Sequence, residues 1–211
     1  VVALCFAATV LAVGIAAAVA IYMPLYYQAG LGFSESQAGL ALVAMSMGTV
    51  VGSFVSGNLI ARLERYRRPT LAGLGVAALC ALVIGLTPGG LSAPELIAIN
   101  AIMGVGMGCF YPYSTVSVQN AAPQAMLGTT LAALNFVRAM GQAIVIALFG
   151  TFVLSPNTQP CPSSGCTDAD PFRLVFVLAA GGLAIAALLV FMMKETPLRT
   201  TLHNQEATAA G

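Results

Sequence analysis

From residue 1 to residue 34 the chain carries no charged side chain, and most residues there are apolar. A helix needs about 20 such residues to cross the hydrocarbon core of a bilayer. The pattern recurs: residues 36–61, 69–94, 96–137, 139–167 and 174–193 are also free of Asp, Glu, Lys and Arg. Of 211 residues, 59% are hydrophobic and 7% charged, against about 25% charged in an ordinary soluble domain. A soluble fold of this size could not cover its surface with so few charges. Disorder is excluded by the same apolar content. Five cysteines are too sparse for a secreted disulfide scaffold. A net charge of +1 leaves no electrostatic footprint for nucleic acid. The sequence is that of an integral membrane protein, with the lipid bilayer as its first partner.

Charges and turn residues divide the chain. Spans are predicted over 3–27, 38–60, 70–86, 95–118, 126–154 and 172–193. The fold class is all-α: a polytopic bundle of six transmembrane helices over 1–193, followed by a polar tail over 194–211. Barrel strands would instead alternate in segments of about ten residues. Gly30, Gly32 and Ser34 break the first run, and Ser34 with Gln37 makes a capping pair for the second helix. Pro94 and Glu95 open the fourth. Alternating spans put both ends on one side, which receives Arg62, Arg65, Arg67, Arg68, Lys194 and Arg199, whereas the other receives only Arg173. Lysine and arginine collect on the cytoplasmic side, so both ends are expected in the cytoplasm. The long outer loop holds Cys161 and Cys166, which form a local disulfide or remain two thiols.

Polar groups inside the membrane are expensive and ask for a reason. Arg138 lies about eleven residues into the fifth span, roughly 16 Å deep at 1.5 Å per residue. Asn135 and Gln142 precede and follow it on the same helical face. This stripe faces a water-filled cavity or a second bundle; the other reading is an arginine satisfied by carbonyls or an acid between helices. Asn100 in the fourth span is a further cavity candidate. Tyr22, near Pro24, lines the cavity or belongs to an interfacial aromatic belt, and Tyr26 and Tyr27 are assigned to the belt. Gly48 with Gly52, and Gly104 with Gly108, are spaced for close helix approach. Tyr22–Met23–Pro24 and Tyr111–Pro112 are a weak echo. With three spans before and three after, it suits a 3+3 inverted repeat.

Apart from Glu95 at the outer start of the fourth, no Asp, Glu, Lys or His falls within the predicted spans. The spans therefore offer no proton carrier, no metal site and no catalytic acid or base, and an enzyme is not expected. No cofactor is implied. The sequence opens on Val1 inside an apolar run, which reads as the interior of a longer protein.

The run Tyr22–Met23–Pro24–Leu25–Tyr26–Tyr27–Gln28, then Gly57 with Arg62, Arg65, Arg67 and Arg68, then Gly104–Val105–Gly106–Met107–Gly108 with Tyr111–Pro112 form an ordered series. Gln119–Asn120–Ala121–Ala122–Pro123, Gly128, Asn135–Phe136–Val137–Arg138 and Gly141 continue it. In this order and spacing they resemble the C-terminal six-helix half of a major facilitator superfamily transporter. More narrowly, the series is similar to the fourteen-helix drug:proton antiporter branch, the multidrug efflux pumps. Gly57, Arg62 and the following arginines resemble the second copy of the family's cytoplasmic loop motif, although Ala61 stands where an acid is usual. The resemblance implies a plasma-membrane antiporter conferring drug resistance. It would export small amphiphilic substrates by alternating access against a missing N-terminal helical bundle, with the proton as coupling ion. The alternatives are a complete six-helix protein working as a homodimeric half-transporter or pore, and a major facilitator carrier for a different small solute.

Overall fold

A computed structural model describes residues 2–63, 67–87, 91–153 and 170–193. Helix α1 (Val2–Leu25) runs on through one π-helical turn, Tyr26–Gly30. Pro24 has no N–H to bond the fourth carbonyl before it, and the wider turn follows at once. Gly32 then adopts φ of 66°, in the left-handed region that suits glycine. Helix α2 (Glu35–Leu63) begins where the Ser34 N–H donates to Gln37 Oε1 (3.2 Å) and the Gln37 N–H donates to Ser34 Oγ (3.4 Å). Helix α3 is Arg67–Leu86. Helix α4 (Ala93–Gly108) opens on a second reciprocal cap, with the Ser92 N–H donating to Glu95 Oε2 at 2.8 Å. Helix α5 (Phe110–Ala121) completes the fourth span. A short 3-10 turn, Gln124–Met126, leads into α6 (Leu127–Val153), and α7 is Asp170–Met192. Among the described residues, 6 helical segments are long and apolar enough to cross a membrane.

The fourth span is not one continuous helix. Cys109 separates α4 from α5, three residues before Pro112. Pro112 cannot donate to the Gly108 carbonyl, which is the bond a continuous helix would make. The Ser53 hydroxyl of α2 donates to that carbonyl instead, at 2.9 Å, and the Ser56 hydroxyl donates to the Cys109 carbonyl at 3.2 Å. In lipid no water can do this, so the neighbouring helix must.

Packing follows the 3+3 repeat. Helix α1 packs extensively on α6, and α4 packs extensively on α2. Exchanging the first three spans for the last three maps one pair onto the other. The same exchange maps the α1·α7 contact onto α4·α3, while α3·α7 maps onto itself; all are major contacts of the bundle.

Tyr26 and Tyr27 depart from the belt reading. Both are buried, at 2% and 1% exposure. The π turn directs them inward: the Tyr26 ring lies 5.2 Å from Phe176 and 5.5 Å from Phe172, and Tyr27 stacks on Phe33 at 5.8 Å. A tyrosine in the core needs a partner for its hydroxyl, and Asn100 supplies one to Tyr27.

Candidate functional site

Arg138 projects from α6 onto α5. Side chains on a helix tilt back toward its start, so the guanidinium meets residues well below its own Cα. Nη2 donates to Ser114 Oγ (2.6 Å), Thr115 Oγ1 (3.0 Å) and the Tyr111 carbonyl (3.3 Å). Nη1 donates to Asn135 Oδ1 at 3.3 Å. The guanidinium carbon lies 5.8 Å from the centroid of the Tyr111 ring. Every acceptor is neutral, and Nε is buried without a partner. The cation is thus solvated by hydroxyls and carbonyls, and no charge in the described bundle balances it. Ser114 and Thr115 carried no sequence signal on their own. The direction of an arginine side chain on a helix that starts near residue 127 would have pointed to them.

Gln142, one turn beyond Arg138, lines a cavity of about 250 Å3. Its walls come from four spans: Ala16 and Ala20 of α1, Met45 and Thr49 of α2, Tyr111 of α5, and Gln142 of α6. Tyr111 thus both lines the cavity and touches Arg138. Asn135 is exposed on the same side of α6 as Arg138. Of the predicted stripe, Gln142 lines the cavity, whose walls are mostly apolar, while Arg138 reaches it only through Tyr111 and Asn135 is not part of its wall.

Two of the cavity candidates lie elsewhere. Asn100 is wholly buried, with its amide donating to the Tyr27 hydroxyl and its Oδ1 unpartnered. Tyr22 donates to the Ile146 carbonyl of α6 at 2.9 Å and lies against Gly150. Neither lines the cavity, because each is drawn to a polar partner on an adjacent helix, which an apolar interior makes worthwhile.

The glycines form two seams. Gly48 and Gly52 of α2 meet the α4 backbone at Ala101 and Val105, and Gly104 and Gly108 meet α2 at Met45 and Thr49. A methyl group at any of the four would run into a carbonyl oxygen. The repeat-related seam joins Gly14 and Gly141: a Cβ on Gly14 would lie 2.9 Å from the Gly141 carbonyl oxygen. Gly14 was invisible in the sequence because its partner sits on another span and no GxxxG spacing marks it.

In the loop motif, Gly57 faces open space. The Arg67 guanidinium lies 4.5 Å over the Phe191 ring and donates to the Phe191 carbonyl in the last turn of α7. That is where a cation suits the helix dipole. Arg68 is exposed. The side chains of Arg62 and Arg65, the cysteines Cys161 and Cys166, and the tail 194–211 lie outside the described residues. Among the described residues no group of His, Cys, Asp or Glu is placed to hold a metal ion.

The sequence profile of the Major Facilitator Superfamily matches residues 4–210. A tetracycline resistance determinant of Streptomyces rimosus is 33% identical over 50% of this chain and 30% of its own length. A probable actinorhodin transporter of Streptomyces coelicolor is 30% identical over 76% of this chain and 28% of its own length. An aspyridones efflux protein of Neocamarosporium betae is 28% identical over 77% and 28% of the two chains. Among solved structures, a proton-dependent oligopeptide transporter superposes with a TM-score of 0.76 at 13% identity, covering 100% of this chain and 46% of that one. The xylose transporter XylE of E. coli, in an inward-open conformation, gives 0.66 at 17% identity, covering 99% and 53%. The chain thus spans less than a third of these curated relatives and about half of these solved structures.

Proposed function

Because this chain belongs to the Major Facilitator Superfamily, we propose that it is one half of a proton-coupled exporter of small amphiphilic compounds. It works in the plasma membrane by alternating access, with both ends of the six-span bundle in the cytoplasm and a second bundle across the cavity. The observation that carries this reading is the cavity of about 250 Å3 edged by Gln142 and Tyr111, with Arg138 beneath the Tyr111 ring. Apolar walls with a few polar groups suit an amphiphile better than a strongly hydrated solute. The names of several relatives, which speak of efflux or resistance, support the export direction. The chain has no membrane-buried acid, so the carboxylate that takes the proton belongs to the other bundle. Arg138, Asn135 and Gln142 contribute to the substrate path.

The test is export from cells lacking their major efflux pumps, using the full-length transporter. Expression of the wild type lowers accumulation of anilinonaphthalene sulfonate, an amphiphilic probe, and a protonophore abolishes the effect. Arg138→Ala, inserted at wild-type levels, removes export of that probe. Unchanged export by that variant sinks the site assignment, and protonophore-insensitive export sinks the coupling.

A further inference from the structure

We infer that the transported compound carries an acidic oxygen (a carboxylate, sulfonate, enolate or phenolate) and that Arg138 is its counter-cation. The inference rests on the export reading above and adds the charge of the substrate.

The argument starts from a charge balance. An arginine cannot shed its proton in a protein, so a membrane-embedded guanidinium needs a compensating negative charge or abundant solvation. Arg138 is the one basic residue in the interior of a predicted span, since Arg173 stands at the outer end of the sixth. The acidic residues of the sequence are Glu35, Glu64, Glu95, Asp168, Asp170, Glu195 and Glu206. Glu35, Glu95 and Asp170 stand in the first turns of α2, α4 and α7, and the others lie outside the described residues and outside the predicted spans. Among the described acids none lies in the middle of a span as Arg138 does, and each of its four hydrogen-bond acceptors is neutral.

Geometry then favours a ligand over a purely structural arginine. A guanidinium has five N–H donors. Here one terminal nitrogen serves three acceptors on α5, the other holds only the exposed Asn135, and Nε holds none. Nε is itself buried, but Nη1, beside the exposed Asn135, keeps a second N–H for an acceptor, which a purely structural tie between α5 and α6 would not need. The group is half-buried rather than sealed. Tyr111, whose ring the guanidinium underlies, is also cavity wall, and Gln142 follows one turn on. A planar acid lying in the cavity finds apolar contact from Ala16, Ala20 and Met45, and the cation lies behind one wall residue, 5.8 Å from the Tyr111 ring. In a low-dielectric site that cation attracts an anion far more strongly than it would in water. It repels an organic cation by the same physics.

The test uses the full-length transporter in energised inside-out vesicles, where export is read as uptake. Three fluorescent probes are compared: anilinonaphthalene sulfonate, its uncharged analogue phenylnaphthylamine, and cationic ethidium. The wild type takes up the sulfonate at least as fast as phenylnaphthylamine. Arg138→Gln lowers sulfonate uptake by about tenfold or more, the scale of one charge-assisted hydrogen bond, while phenylnaphthylamine uptake changes by less than about threefold. Arg138→Lys, which keeps the charge, retains more sulfonate uptake than Arg138→Gln. Equal loss of all three probes in Arg138→Gln assigns the cation to a carboxylate of the protein itself and overturns the inference. Uptake of ethidium and phenylnaphthylamine without the sulfonate in the wild type also overturns it and leaves the export reading standing. Should Arg138→Gln fail to insert, competition decides the matter in the wild type: carboxylated competitors must inhibit better than their methyl esters. No uptake of any probe by the wild type defeats the export reading, and this inference with it.

Discussion

The Ser53 hydroxyl of α2 donates at 2.9 Å to the carbonyl of Gly108, the acceptor that Pro112 leaves without its helical bond. The serine and the proline are therefore coupled across two helices. Ser53→Ala strands a buried carbonyl, at a cost of about 1–3 kcal/mol. In a Pro112→Ala background the helix supplies its own N–H, and the same serine substitution costs well under about 1 kcal/mol. A double-mutant cycle on the purified full-length protein, read by thermal or denaturant unfolding in detergent, measures the difference. Equal costs in both backgrounds would show that Ser53 acts elsewhere.

Glycine substitutions should divide sharply by position. Gly108→Ala pushes a methyl group into the Thr49 carbonyl, and Gly48→Ala does the same at Ala101. Each forces α2 and α4 apart and costs about 1–3 kcal/mol or more by the mechanism of overpacking. Gly75 of α3 has open space around it, and Gly75→Ala is neutral or slightly stabilising, since alanine is the better helix former. Unfolding midpoints of the three variants check this order.

Tyr27 and Asn100 are a buried pair. Tyr27→Phe leaves the Asn100 amide without its partner and costs about 1–3 kcal/mol. Replacing both, with Tyr27→Phe and Asn100→Leu, recovers most of that loss because no polar group is then left unpaired. A double variant no more stable than Tyr27→Phe alone would contradict the pairing.

These relationships differ in how far the sequence disclosed them. The spans were legible because charge-free runs are long and the bilayer leaves helices as the only economical solution for such runs. The cap at Ser34 and the helix start at Pro94 and Glu95 were legible because they are local, whereas Ser92 as the second cap came only with the structure. Arg138 stood out because a lone charge in an apolar span is conspicuous. Its partners Ser114 and Thr115 were not legible, since they lie more than twenty residues away on another helix. Tyr27 was misassigned to the belt because nothing local marks the π turn that carries it inward, and Asn100 drew attention only as a polar residue. Gly14 escaped notice for a related reason: close approach is a property of two helices, and one sequence window contains only one of them.

Topology gives a further prediction. In a background with the native cysteines replaced, Gln124→Cys is labelled by a membrane-impermeant maleimide only when the cytoplasmic face is accessible, and Ser36→Cys only from outside. Both residues are exposed, each at the start of its own span, and the predicted topology puts those two starts on opposite sides of the membrane. The reverse pattern would refute the orientation read from the arginine and lysine distribution.

The two glycine seams also determine what can move. Gly14 with Gly141 ties the first triplet of spans to the last, and Gly48 and Gly52 with Gly104 and Gly108 tie them a second time. Backbones in direct contact cannot slide without climbing over one another's carbonyls. A twist or shear between the two triplets would have to break both seams together. The six spans therefore behave like one cast block, and any large movement must carry the block as a whole.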